Sequence, residues 1–175
     1  MKILLDARFY GLENAGLGRY TMNLIDSLNG LDSKNSYVLL LRKKYFDNLK
    51  VPKNWEKVEA DFKHYGADEQ VKLPKLINKY NPDITHFLHF NVPINFKGKY
   101  LVTIHDMIMH RQSGRDATTL SYPVYLVKRL MYKKVFSSAV LNSQKIIVPS
   151  EFVKKEIVNY FKVPQEKVVV TYEGI

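Results

Sequence analysis

The sequence predicts an α/β fold with a doubly wound, mostly parallel sheet and helices on both faces. Three observations carry this reading. Short apolar runs alternate with helical patterns along almost the whole chain. The runs are nearly continuous in hydrophobicity, as in strands buried on both sides. No internal repeat and no low-complexity tract interrupts the alternation. Right-handed crossovers between such strands give a Rossmann-like architecture.

The elements follow in order. KILLDA (2–7) reads as a buried strand, and GLGRYTMNLIDSLNGL (16–31) as a helix. Leu17, Tyr20, Leu24, Leu28 and Leu31 form its apolar stripe. SYVLLLR (36–42) is a second strand, and KVEADF (57–62) a short third one. DEQVKLPKLINKY (68–80) is helical, with Pro74 near its start or at a kink. PDITHFLHF (82–90) and KYLVTIHD (99–106) are strands, and 110–119 is a loop. A long helix over 118–140 repeats Leu120, Val124, Val127, Met131 and Val135 on one face. QKIIVPS (144–150) is a strand that feeds a helix over 150–161, with Ser150 as N-cap and Glu151 in the positive first turn. KVVVTY (167–172) is the last strand.

A chain of 175 residues, 46% hydrophobic, suits one domain with a real core. There is no cysteine, which excludes disulfides and cysteine-based zinc sites and fits a cytoplasmic setting. Asp6 arrives too early for a signal-peptide core. No apolar run approaches the ~20 residues of a membrane span. The net charge of +10 points to a polyanionic partner: nucleic acid, anionic lipid, or the phosphates of a small ligand. No nucleic-acid-binding module is recognisable.

In a doubly wound sheet, ligands bind beyond the carboxyl ends of the strands. After the first strand, Gly16 and Gly18 flank the helix start, where free N–H groups and the dipole suit a phosphate. Thr21 stands where a dinucleotide fingerprint has its third glycine. The second strand ends without a ribose-binding acid. Both points count against an NAD-binding domain, and the missing third glycine also weighs against an NADP oxidoreductase. His86 and His89 fall on opposite faces of their strand, so they form no metal clamp. His86 reads as structural, and His89, nearer the strand end, as a cleft residue. His105-Asp106 at the end of a strand is placed for hydrogen bonding or proton transfer. No Gly-x-Ser-x-Gly elbow and no two-histidine helix motif offers a nucleophile or a metal. Lys128, Arg129, Lys133 and Lys134 are interleaved with Tyr122, Tyr125, Tyr132 and Phe136, which suits a membrane interface or a phosphate-bearing acceptor.

Five stretches in order, LLDARFYG…AGLGRYTMNL, NPDITHFLHFNVP, LVTIHDMI, SQKIIVPSEFVKKEI and VPQEKVVVTYEGI, resemble the N-terminal domain of family 4 glycosyltransferases, retaining enzymes of the GT-B fold. The likeness is nearest to mannosyltransferase-B-like members that build polysaccharides, and it spans nearly the entire chain. It implies one half of a two-domain enzyme, with residues 1–175 as the acceptor-side domain. In the family, the strand resembling KVVVTYEGI leads into the interdomain linker, so the C-terminal donor-binding domain is expected to be missing. That domain's glutamates, spaced eight apart, have no counterpart here, since Glu166 and Glu173 are seven apart.

The resemblance also implies roles. Gly16 and Gly18 would approach the donor diphosphate. His105 would hydrogen-bond the donor sugar near the reacting centre, and Asp106 would help position it. Arg19, Lys128 and Arg129 would meet an acceptor diphosphate or anionic headgroups. No metal or cofactor is expected, only a nucleotide-diphosphate sugar as donor and a glycan or lipid-linked acceptor. Glu13 stands where related loops are often glycine-rich, and Glu173 where close relatives often have a less polar residue. The expectation is a hexosyltransferase domain, inactive alone, in the cytoplasm with peripheral membrane contact. The alternative is a natural half-sized subunit, or a non-catalytic module binding an anionic glycolipid or a partner chain.

Overall fold

The computed structural model describes residues 1–111 and 121–173. Its elements are β1 (Lys2–Asp6), α1 (Ala15–Leu31), β2 (Ser36–Leu41), α2 (Lys43–Phe46), β3 (Trp55–Glu59), α3 (Ala67–Tyr80), β4 (Ile84–Phe87), β5 (Tyr100–Thr103), α4 (Ile108–Arg111), α5 (Tyr122–Asn142), β6 (Lys145–Val148), α6 (Glu151–Phe161) and β7 (Val168–Val170). The strands form one seven-stranded sheet in the order β3-β2-β1-β4-β5-β6-β7. Every pairing is parallel. This is the Rossmann-like architecture the alternation of elements predicts.

Strand alternation sends side chains to two separate cores. Leu4, Val38, Leu40 and Val102 face α3, α5 and α6, where Leu73, Ile77, Phe136, Ala139 and Ile157 complete the larger core. Leu5, Leu39 and Leu41 face the other way and meet Ile25 of α1, with Trp55 and Tyr37. Each fully buried leucine contributes about 1.5–3 kcal/mol, so the central strands anchor both layers.

Four details differ from the sequence reading. In α1 the residues that pack down are Gly18, Thr21 and Ile25, while Leu31 is 85% exposed. Gly18 packs on the Gly11 backbone of the preceding loop and Ile25 on the β1–β2 core, so the leucine stripe is only partly covered. In α5 only Val135, Phe136, Ala139 and Val140 are buried. Val124, Val127 and Met131, read on one face with Val135, are exposed, so burial is confined to the second half of the helix. The third strand begins earlier than its apolar pattern suggests, since Trp55 and Val58 are its buried residues. The short helices α2 and α4 carry too few residues to show a period. Pro74 stands in the interior of α3. The Ser150 hydroxyl does cap α6, accepting from the Val153 N–H at 3.3 Å. Of the expected loop, residues 110–111 belong to α4 and the rest lies outside the described residues.

Candidate functional site

The chain builds β1, β2 and β3 outward, then returns to lay β4 against the other side of β1. That reversal opens a crevice beyond the carboxyl ends of β1 and β4, the usual ligand position in such sheets. The chemistry-bearing residues collect along this edge.

Arg8, just past β1, is 1% exposed. Its Nε and Nη2 donate to the two Asp6 carboxylate oxygens at 2.7 Å each, and Nη2 also reaches Glu69 Oε1 at 2.7 Å. Glu69 opens α3 and is fully buried; its Oε2 accepts from Asn91 Nδ2 at 2.5 Å and from the Tyr65 N–H at 2.8 Å. One guanidinium thus ties the ends of β1, α3 and the loop after β4. Burial alone would push both carboxyls up. For Asp6 the Arg8 charge and hydrogen bonds outweigh burial and hold it below its ordinary value. For Glu69 the His64 and Arg8 contacts do the same. Sequence reading missed this network, because DAR reads as an ordinary strand end.

A second chain of contacts runs along β4 and β5. His86 Nε2 lies 2.8 Å from Thr103 Oγ1, and the Tyr20 hydroxyl lies 3.2 Å from the same atom. Burial pushes the His86 imidazole down to about 4. Neutral and enclosed, His86 is structural in its setting, as its position mid-strand predicts. His105 follows β5. Its Nε2–H donates to the Leu88 carbonyl at 3.1 Å, and its Nδ1 lies 2.7 Å from Glu173 Oε1. The Tyr20 ring meets His105 edge-on, with centroids 4.7 Å apart. Tyr20 is one helical turn beyond Gly16, so α1 carries the glycine-bearing turn toward His105. Asp106 Oδ1 accepts from the Ile108 N–H at 2.9 Å and thereby starts α4.

The two glycines have different surroundings. A Cβ on Gly16 would meet nothing within 4 Å, so the first turn of α1 is open there. A Cβ on Gly18 would fall 1.9 Å from the Gly11 carbonyl oxygen. Gly18 therefore serves the close packing of α1 on the preceding loop, and only Gly16 presents backbone to solvent. Gly11 takes φ 120°, and Ala15 takes φ 51°, a strained value for a residue with a Cβ.

His89 sits among the rings of Phe9, Phe90 and Tyr65, and burial pushes its imidazole down to about 3. Its Nδ1 has no hydrogen-bond partner among the described residues. Arg19 is exposed on α1, away from Lys128 and Arg129 in sequence and element. Arg129 Nη1 donates to the Tyr125 hydroxyl at 2.7 Å along α5. Among the described residues no group of three or more His, Cys, Asp or Glu is arranged to hold a metal ion. No described helix is long and apolar enough to cross a membrane.

The fold and this edge define a Rossmann-like domain with polar groups gathered at the switch point of a parallel sheet. The profile described as Glycosyltransferase Family 4 matches residues 15–175, and the chain belongs to that family. No curated protein matches the sequence. Among solved structures, a glycosyltransferase from Rickettsia africae ESF-5 aligns with TM-score 0.54 at 17% identity, over 99% of this chain and 43% of its own. The wall teichoic acid polymerase TagF, as its H548A variant, aligns with TM-score 0.57 at 16% identity, over 96% and 37%. A UDP-N-acetylglucosamine 2-epimerase from Rickettsia bellii aligns with TM-score 0.54 at 12% identity, over 98% and 44%. At these identities the shared property is the fold. The chain spans about two fifths of the length of these neighbours.

Proposed function

We propose that this chain is the acceptor-side domain of a retaining glycosyltransferase. The enzyme would move a hexose, with mannose the first candidate, from a nucleotide-diphosphate sugar to a glycan or lipid-linked acceptor. The match of residues 15–175 to the family carries this reading. A donor-binding domain in cis or in trans would supply most contacts to the nucleotide, and no metal or cofactor takes part. In the closed cleft the open turn at Gly16 approaches the diphosphate, whose departing charge is stabilised by fixed N–H donors. His105, fixed at Nε2 by the Leu88 carbonyl, exchanges the Glu173 contact of its Nδ1 for the sugar, and Asp106 holds the loop that carries it.

We place the enzyme at the cytoplasmic membrane surface through the first half of α5. Val124, Val127, Leu130 and Met131 are exposed there, beside Lys128, Arg129, Lys133 and Lys134. No acidic residue occurs between Asp116 and Glu151. A helix with exposed apolar residues, four cations and no acid matches an anionic lipid headgroup layer.

The test is transfer of labelled sugar from a panel of nucleotide sugars to a membrane lipid extract. The longer enzyme, this chain with a donor-binding domain supplied in cis or in trans, should transfer, and this chain alone should not. Equal turnover by the isolated chain would overturn the half-enzyme reading.

A further inference from the structure

A cavity of about 440 Å³ lies beyond the carboxyl ends of β1 and β2. The β1–α1 loop, the flank of α1 and the short helix α2 line it as an open cleft, and no role described above uses it. Its volume is within the roughly 300–1,000 Å³ of small-molecule sites. The Tyr10 and Tyr45 rings meet nearly edge to face, with centroids 5.2 Å apart and planes at 66°, and so form an aromatic corner. The Tyr45 hydroxyl donates to the Glu13 carboxylate. Lys44 Nζ lies 3.3 Å from the other oxygen of Glu13. Asn48 adds an amide to the lining.

The backbone is shaped to this corner. Gly11 has φ 120°, and a Cβ there would fall 2.1 Å from the Tyr45 hydroxyl oxygen. Any other residue at position 11 would push Tyr45 out of the wall. Glu13 is exposed and contributes to neither core, yet two groups hold it at the rim. Lys44 and Glu13 cancel each other's charge, so the lining offers no unpaired cation for a phosphate. Aromatic faces, a carboxylate and an amide, with no net charge, suit a neutral polyhydroxyl ring. The C–H face of a pyranose packs on an aromatic ring, while a carboxylate and an amide bind its hydroxyls.

We infer that this cavity is a subsite for a neutral pyranose unit of the acceptor glycan, an assignment that rests on the acceptor-side reading above. It explains why a glutamate occupies a loop that resembles glycine-rich ones. Glu13 reads hydroxyls at the far edge of the loop whose other end, at Gly16, is open.

The experiment is amide ¹H–¹⁵N correlation NMR of the 175-residue chain titrated with mannobiose, cellobiose and lactose, with uridine monophosphate as the competing probe. At least one disaccharide should shift the signals of Tyr10, Glu13, Tyr45 and Asn48, with a Kd of about 1–10 mM. Tyr45→Ala should abolish those shifts. Glu13→Gln should weaken binding about threefold to tenfold, the loss of one charge-assisted hydrogen bond. Tyr45→Phe, which keeps the ring, should still bind, and the remaining signals report whether each variant is folded. No shift at these residues with any sugar, shifts that survive Tyr45→Ala, or shifts produced by uridine monophosphate alone would overturn the assignment. Any of those results leaves the transferase reading standing, because that reading is tested by transfer. Sugar binding here without transfer by the longer protein would sink the transferase reading instead.

Discussion

His105 Nδ1 lies 2.7 Å from Glu173 Oε1, although 68 positions separate the two residues. The histidine at the end of β5 is thus oriented by a carboxylate just beyond β7, with the Leu88 carbonyl fixing its other nitrogen. The pair is partly exposed, so its effect on stability is about 0–1 kcal/mol. Glu173→Ala should leave the unfolding free energy of the chain within that range. In the longer protein it should lower kcat by about tenfold, because the imidazole is no longer pre-oriented to pass its Nδ1 from Glu173 to the sugar. Urea unfolding and steady-state transfer assays measure the two effects separately.

The glycines of the first turn of α1 separate stability from function. Gly18→Ala drives a methyl into the Gly11 carbonyl and should cost about 1–3 kcal/mol in urea unfolding. Gly16→Ala meets open space and should be neutral or stabilising by up to about 1 kcal/mol, since alanine is the better helix former. The same Gly16→Ala change should weaken donor-dependent transfer by placing a methyl at the open turn.

Arg8 is the tie between β1 and α3. Arg8→Met leaves the Glu69 carboxylate buried beside Asp6 without its cation and should cost about 3–5 kcal/mol. Glu69→Gln, which keeps the shape and removes one charge, should cost less. Thermal and urea unfolding of the two variants should rank them in that order.

Acid should destabilise the fold before ordinary carboxylates titrate. An unfolded histidine takes a proton near pH 6.5, whereas folded His86 does so only near 4. Its stabilising contribution is complete above pH 6.5 and is lost as the pH falls toward 4, on the order of 3 kcal/mol. Asp6 and Glu69 are also held low, and their contributions are lost at still lower pH. Unfolding free energies measured from pH 7 to 4 should show the slope, to which His89, held down to about 3, also contributes, and His86→Gln should reduce it.

Lys128→Glu with Arg129→Glu should reduce binding to vesicles containing phosphatidylserine by about thirtyfold or more, at about 1 kcal/mol per cation. Binding to neutral phosphatidylcholine vesicles should change little, and the difference should shrink in high salt. Co-sedimentation at two ionic strengths measures this.

Much of the fold was legible because parallel strands buried on both faces leave continuous apolar runs, as in SYVLLL and KIIV. Ser150 showed its helix start by the same local logic. The faces of α1 and α5 were not legible. Periodicity marks the apolar side of a helix, but in α1 two of the three buried positions, Gly18 and Thr21, are not large apolar residues. Nor does periodicity show that the apolar residues in the first half of α5 are left exposed. The position of His105-Asp106 just after β5 was legible because the apolar run ends abruptly there in polar residues. It was hidden where partners were distant in sequence: Arg8 with Glu69, His105 with Glu173, and Tyr45 with Glu13.

The central claim is that this domain carries the sugar-facing histidine of a transferase that needs a second half. The most direct measurement is transfer of labelled hexose from nucleotide-diphosphate sugars by this chain with a donor-binding domain in cis or in trans, by the His105→Ala variant of that enzyme, and by this chain alone. The account predicts transfer by the first, a loss of at least about a hundredfold in the second, and none by the third. Undiminished transfer by His105→Ala, or transfer by the isolated chain at the rate of the longer protein, would contradict it.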